Sequence, residues 1–176
     1  MSPSPSREGA GVGLSAITVL GVDRPGTIAE VTAVLAGCGA NVEDSAMTLL
    51  GGHVAMMLLV SGRLPPASAF PGVAVTVTDV ESRRDAGRDP DGLGYVLTLH
   101  GPDRPGIISA VSAVLAGAGG DITGMTSRLC GRLYVLIADV RLPEVVDVAD
   151  LMCRLAAMGA DLGSEITFRP AEPDVL

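Results

Sequence analysis

The chain has 176 residues, is 48% hydrophobic but only 2% aromatic, lacks Trp, and carries a formal charge of −8. Its cores must therefore come from Val, Leu, Ile, Ala and Met, and without a run of Lys or Arg it has no electrostatic footprint for direct nucleic-acid binding. No segment approaches the roughly 20 apolar residues of a membrane span.

The first residues, M-S-P-S-P-S-R-E-G-A-G, are polar and rich in Pro, Ser and Gly. A disordered tail over 1–13 is expected, not a signal peptide. Three cysteines, Cys38, Cys130 and Cys153, show no C-x-x-C spacing. They read as small core residues of a protein in a reducing cytoplasm, with neither a disulfide framework nor a zinc site.

Leu14–Leu20 is an apolar, β-forming run that ends at a glycine and predicts a strand. Gly21–Gly26 follows as G-V-D-R-P-G, with Pro25 suited to the first position of a helix and Thr27-x-x-Glu30 spaced as a capping box. Ile28, Val31, Val34 and Leu35 continue at helical spacing until Gly37 and Gly39. Asn41–Leu49 and His53–Val60 are extended runs joined at Gly51-Gly52, which a tight hairpin favours.

This pattern is written twice. Gly101–Gly106 reads G-P-D-R-P-G, and aligning Gly21–Val60 with Gly101–Val140 gives 16 identities in 40 positions without a gap. The repeat predicts two domains. The second copy supplies a strand Tyr95–His100, a helix from Pro105 to Gly117, and a hairpin of Asp121–Leu129 with Leu133–Val140. Val148, Leu151, Met152, Leu155 and Met158 then form an apolar helical stripe behind a cap at Asp147, and a strand at Gly163–Phe168 completes βαββαβ.

In the first copy the matching segment is L-P-P-A-S-A-F-P (Leu64–Pro71), before a strand at Val73–Val80. Three prolines leave room for one turn, so a shortened second helix is expected, with sheet surface near Met56 and Leu58 uncovered and available for an oligomer or docked partner. The expected organisation is a domain over 14–80, a charged linker over 81–93, a domain over 94–169 and a tail over 170–176. The fold class is α+β, with two ferredoxin-like βαββαβ domains in tandem.

No catalytic set repeats. His53 and His100 occupy non-equivalent positions, and no phosphate-binding loop or metal cluster is written. The same βαββαβ order houses RNA-binding and copper-carrying modules, but the central strands lack stacking aromatics and the first loop lacks a Cys pair. What remains is a glycine-flanked loop that delivers an acid to a helix N-terminus. Free amides there attract a carboxylate while Asp23 or Asp103 accepts an ammonium group, and Asn41 or Asp121 at the start of the next strand is expected beside the loop. The alternative is that D-R-P-G is turn chemistry alone.

The run D-R-P-G-x-I-(A/S)-x-V-(T/S)-A-V-L-A-G-x-G-(A/G)-(N/D)-(V/I) resembles the ACT domain, an amino-acid-sensing module. Two copies over about residues 14–168 resemble the glycine cleavage system transcriptional repressor family. The resemblance implies a non-catalytic regulator without cofactor or metal. It would bind an amino acid between ACT domains, act through a partner protein and form a homo-oligomer such as a dimer. Carried onto this chain it nominates Asp23, Arg24, Gly26, Thr27 and Asn41, and in the second copy Asp103, Arg104, Gly106, Ile107 and Asp121. A structural module that keeps the fold without the ligand is the other reading.

Overall fold

The computed structural model describes residues 13–80 and 92–172. All but the last residue of the expected N-terminal tail, all but the last two residues of the linker, and the end of the C-terminal tail lie outside the described residues. The chain divides into two compact units, Met1–Arg84 and Asp85–Leu176.

In the first unit, strand β1 (Leu14–Val22) leads to helix α1 (Thr27–Gly37), the hairpin β2 (Asn41–Leu50) and β3 (His53–Ser61), a single 3-10 turn at Ala67–Ala69, and β4 (Val73–Val80). The sheet is antiparallel in the order β2-β3-β1-β4. Gly51 and Gly52 both take positive φ, 58° and 77°, as a two-residue hairpin of right-handed twist requires. The core lies on the helix side, where Ile17, Val19, Val54, Leu58 and Val60 meet Val31 and Leu35 of α1.

The second helix is indeed lost from this unit, but its absence does not uncover Met56 and Leu58, which are only 7% and 1% exposed. Both belong to the core that α1 covers, and Phe70, 4% exposed, reaches into it from the end of the 3-10 turn. Pro65 and Pro66 block a longer helix, and the aromatic side chain does part of a helix's work.

The second unit keeps the full order: β5 (Leu93–Pro102), α2 (Ile107–Ala116), β6 (Asp121–Cys130), β7 (Leu133–Leu142), α3 (Val148–Leu162) and β8 (Glu165–Pro170), in a sheet ordered β6-β7-β5-β8. Asp147 caps α3 as its type predicts, its carboxylate accepting from the Asp150 amide at 3.1 Å. Leu151 and Leu155 bury the α3 stripe against Leu97, Leu99, Val111 and Leu115. Tyr95 stacks on Phe168 with ring centroids 4.8 Å apart. The three cysteines depart from expectation. Cys38, Cys130 and Cys153 are free and exposed, because they fall at a helix end, a hairpin end and the outer side of α3.

One constraint recurs in both units. A Cβ at Gly21 would lie 2.6 Å from Cγ1 of Val73, and one at Gly101 would lie 2.8 Å from the Cα of Ser164. The first strand and the start of the last strand meet too closely there for a methyl group. Val73 can turn its side chain, whereas at Gly101 the obstacle includes backbone. We expect Gly101→Ala to cost about 1–3 kcal/mol and Gly21→Ala less, measured by urea denaturation with far-UV circular dichroism. On the same measurement Phe70→Ala should cost about 3 kcal/mol or more, the usual loss when a buried aromatic is truncated.

Candidate ligand-binding site

The loop between the first strand and the first helix is built alike in both units. Gly26 and Gly106 take φ of 94° and 91° at the N-cap, so the left-handed residue, not Pro25 or Pro105, ends the loop. Neither helix has a side-chain cap. A β-carbon would strain this conformation, which accounts for glycine at the end of D-R-P-G. The Glu30 and Ala110 amides donate to the carbonyls of Gly26 and Gly106, each at 2.9 Å.

The expected capping box is absent. Glu30 turns outward and accepts a fork from Arg24, with Nη1–Oε1 at 2.8 Å and Nη2–Oε2 at 2.5 Å. That hydrogen bond, aided by the attraction of the two charges and opposed by desolvation, holds the Glu30 carboxyl below its ordinary range and raises the Arg24 guanidinium. Both partners are 46% exposed, so the pair orients more than it stabilises. Thr27 is buried, and its hydroxyl and amide both donate to the Arg24 carbonyl, at 3.0 and 3.2 Å. Of the first-turn amides of α1, those of Ile28 and Ala29 then lack a helical acceptor. Asp23 is exposed, and its amide donates to the Gly52 carbonyl at 2.9 Å, tying the loop to the hairpin turn.

In the second unit Asp103 and Arg104 are exposed at the same places, and Ile107 is buried where Thr27 stood. Ala110 replaces Glu30, so Arg104 has no such fork. Both arginines lie near the glycine that precedes the last strand: Nη2 is 3.8 Å from a Cβ built on Gly72 and 3.6 Å from one on Gly163.

Asn41 and Asp121 do not come back beside these loops. Asn41 pairs with Ser61, which pairs with Leu14, so it sits at the end of the sheet where β1 begins, whereas the loop follows Val22. Eight strand steps separate the two ends, about 26 Å. The Asn41 amide donates to Glu43 at 2.9 Å, and the Ser61 hydroxyl donates to the same oxygen. Asp121 faces Arg141 across the corresponding pair. Glu43 and Thr123 occupy the same register shift, between Val42/Asp44 and Ile122/Gly124. The carboxylate that the first copy carries at Glu43 is thus carried by Asp121 in the second.

A shallow cleft of about 10 Å³ lies beside the first loop, lined by Thr27, Glu30, Val31, Phe70, Pro71 and Val73. Sequence reasoning missed it, along with the Glu30 fork; Phe70, one of only two Phe in the chain and set among prolines, was the available signal. Among the described residues no three His, Cys, Asp or Glu side chains cluster as a metal site, and no helix is long and apolar enough to cross a membrane.

Comparison with known proteins agrees with this architecture. The ACT domain model matches residues 16–79. The glycine cleavage system transcriptional repressor of Escherichia coli is 44% identical over 46 residues, 26% of this chain and 24% of the repressor. A UPF0237 protein of Lactococcus lactis is 41% identical over 54 residues, 31% of this chain and 62% of that protein. The chain thus spans about a quarter of the repressor's length in that match. A protein of unknown function from Galdieria sulphuraria superposes over 92% of this chain and 100% of its own, with a TM-score of 0.74 and 27% identity. A structure provisionally named glycine cleavage system transcriptional repressor superposes over 92% of this chain and 98% of its own, with a TM-score of 0.63 and 14% identity, a likeness of fold. With the ACT domain model matching the first unit and the same fold repeated in the second, the chain resembles two ACT domains in tandem and is similar, over part of its length, to the glycine cleavage system transcriptional repressor.

Proposed function

We propose that this protein is a non-catalytic, amino-acid-binding regulator that passes its ligand state to a partner protein. The observation that carries the reading is the loop built twice: an exposed acid, a left-handed glycine, and a helix start without a side-chain cap. Such an end suits the two charges of an α-amino acid, with the carboxylate on helix amides and the ammonium on Asp23 or Asp103. The likeness to a transcriptional repressor supports a role in gene control, and the acidic charge directs that role through another protein.

Each loop is half a site. Asn41 and Asp121 lie at the far sheet end of their own units, so in this reading they serve a loop of a second chain, in a homo-oligomer. Arg24, committed to Glu30, shapes the first loop, while Arg104 is the arginine with freedom to turn toward a ligand. Coupling follows from population shift, because a ligand that binds one arrangement better draws the protein into it and the partner reads the change.

A calorimetric panel of the common amino acids against the intact protein tests the reading. At least one should bind. The Asp23→Ala, Asp103→Ala double variant should keep its circular dichroism spectrum and bind at least tenfold more weakly. A panel without binding would leave the structural-module reading in its place.

A further inference from the structure

The two copies, compared position by position, show what the first unit lacks. In the second unit α3 packs over α2 and β8. The residues beneath it have counterparts fixed by strand register: Ile166 pairs with Leu99 as Val75 pairs with Val19, and Phe168 pairs with Leu97 as Val77 pairs with Ile17. Phe168 is 8% exposed, while Val77 is 39% exposed. Along α2, a Cβ on Gly117 would lie 3.0 Å from Nη2 of Arg154, which also donates to the Val114 carbonyl at 3.4 Å. The counterpart Gly37 has nothing within 4 Å of the same point. Phe70 and the 3-10 turn fill only part of the space, and the remainder includes the cleft between Glu30, Phe70 and Val73.

We propose that this groove on the first unit, between α1 and β4, is a docking site for an amphipathic helix of a partner protein. Its bed is Val73, Val75 and Val77, and its rim is Glu30 and Asp79. The second unit supplies the template for the occupant. Its α3 presents Leu151 and Leu155, one helical turn apart, to the core, and Arg154 to the C-terminal end of α2. The occupant therefore carries apolar residues at i and i+4. The α3 of a second copy is not available, since both leucines are only 1% exposed within their own unit.

Charge sharpens the choice. The C-terminal end of α3 lies near Arg104, as the approach of that guanidinium to Gly163 shows. The corresponding corner of the first unit holds Asp23 and the Arg24–Glu30 pair, while Asp79 stands at the other end of β4, opposite Ser15. This corner has an excess of acid, so the docked helix ends in Lys or Arg, which its own dipole also favours. The groove is separate from the amino-acid loop except at the first turn of α1, and its test does not need an amino acid.

The probe is a labelled peptide with the sequence of residues 146–163, Cys153 replaced by Ser, titrated with the full chain by fluorescence anisotropy. Saturable binding is expected. Binding should weaken at least tenfold to chains carrying Val77→Lys, which puts a charge in the groove, or Gly37→Arg, which sets a cation against the peptide's Arg154. Both sites are exposed, so circular dichroism should be unchanged. A peptide with Asp161→Lys should bind several-fold tighter, and Glu30→Gln should remove part of that gain. No binding, equal binding to both variant chains, or equal binding by a peptide with Leu151→Asp and Leu155→Asp would overturn the proposal. Equal binding to the variants would mean that the peptide displaces α3 from the second unit or adheres nonspecifically.

Discussion

The loops depend on the contact between the first strand and the start of the last, at Gly21 against Val73 and Gly101 against Ser164. With no Cβ in the way, the last strand begins beside the point where the first one ends. The chain can then leave the sheet, turn through D-R-P-G and start a helix on the same side. The second glycine of each motif, left-handed at 94° and 91°, completes that turn without a side-chain cap. The two glycines thus have separate tasks five positions apart in the chain, one long-range and one local. Between them they leave the acid of the motif at the surface.

From this shared frame the two copies diverge by one helix. In the second unit α3 buries Leu151 and Leu155 and allows a small residue, Ala110, on the facing helix. In the first unit prolines reduce the segment to one turn, Phe70 covers part of the core, and Glu30 stands at Ala110's position, held outward by Arg24. A carboxylate under a packed helix would need a partner or carry a desolvation cost. At the edge of an open groove it needs only its salt bridge. The lost helix and the gained acid are therefore one change.

Much of this was legible in the sequence because it is local or periodic. The duplication, the hairpin glycines, the α3 stripe behind Asp147, and the loss of a helix at three prolines all follow from short-range rules. What escaped depends on register or on a distant partner. Glu30 has Thr27 at capping-box spacing, but the left-handed glycine before Thr27 directs the side chain away and Arg24 captures it. Asn41 looks close to the loop in the chain, yet antiparallel pairing puts it at the other sheet end. Met56 and Leu58 fall beneath α1, which no count of prolines reveals, and the cysteines sit at element ends where a hydrophobic residue type does not decide burial. The candidate site was legible as a loop but not as a geometry, since its second half cannot come from the same unit's Asn41.

The first turn of α1 joins the two proposed surfaces. Thr27 and Glu30 line the cleft, and both bond to Arg24, the residue next to Asp23, the acid of the proposed ligand loop. Under the two proposals, a cation docked in the groove would compete with Arg24 for Glu30, and the guanidinium so released would stand beside the loop that takes the ligand. If each event lowers the cost of the other, the proposed ligand and partner helix would bind with positive coupling, equal in both directions by linkage. The second unit has Ala110 in place of Glu30 and a filled groove, so it offers no such relay. The proposed coupling is therefore a property of the first copy alone.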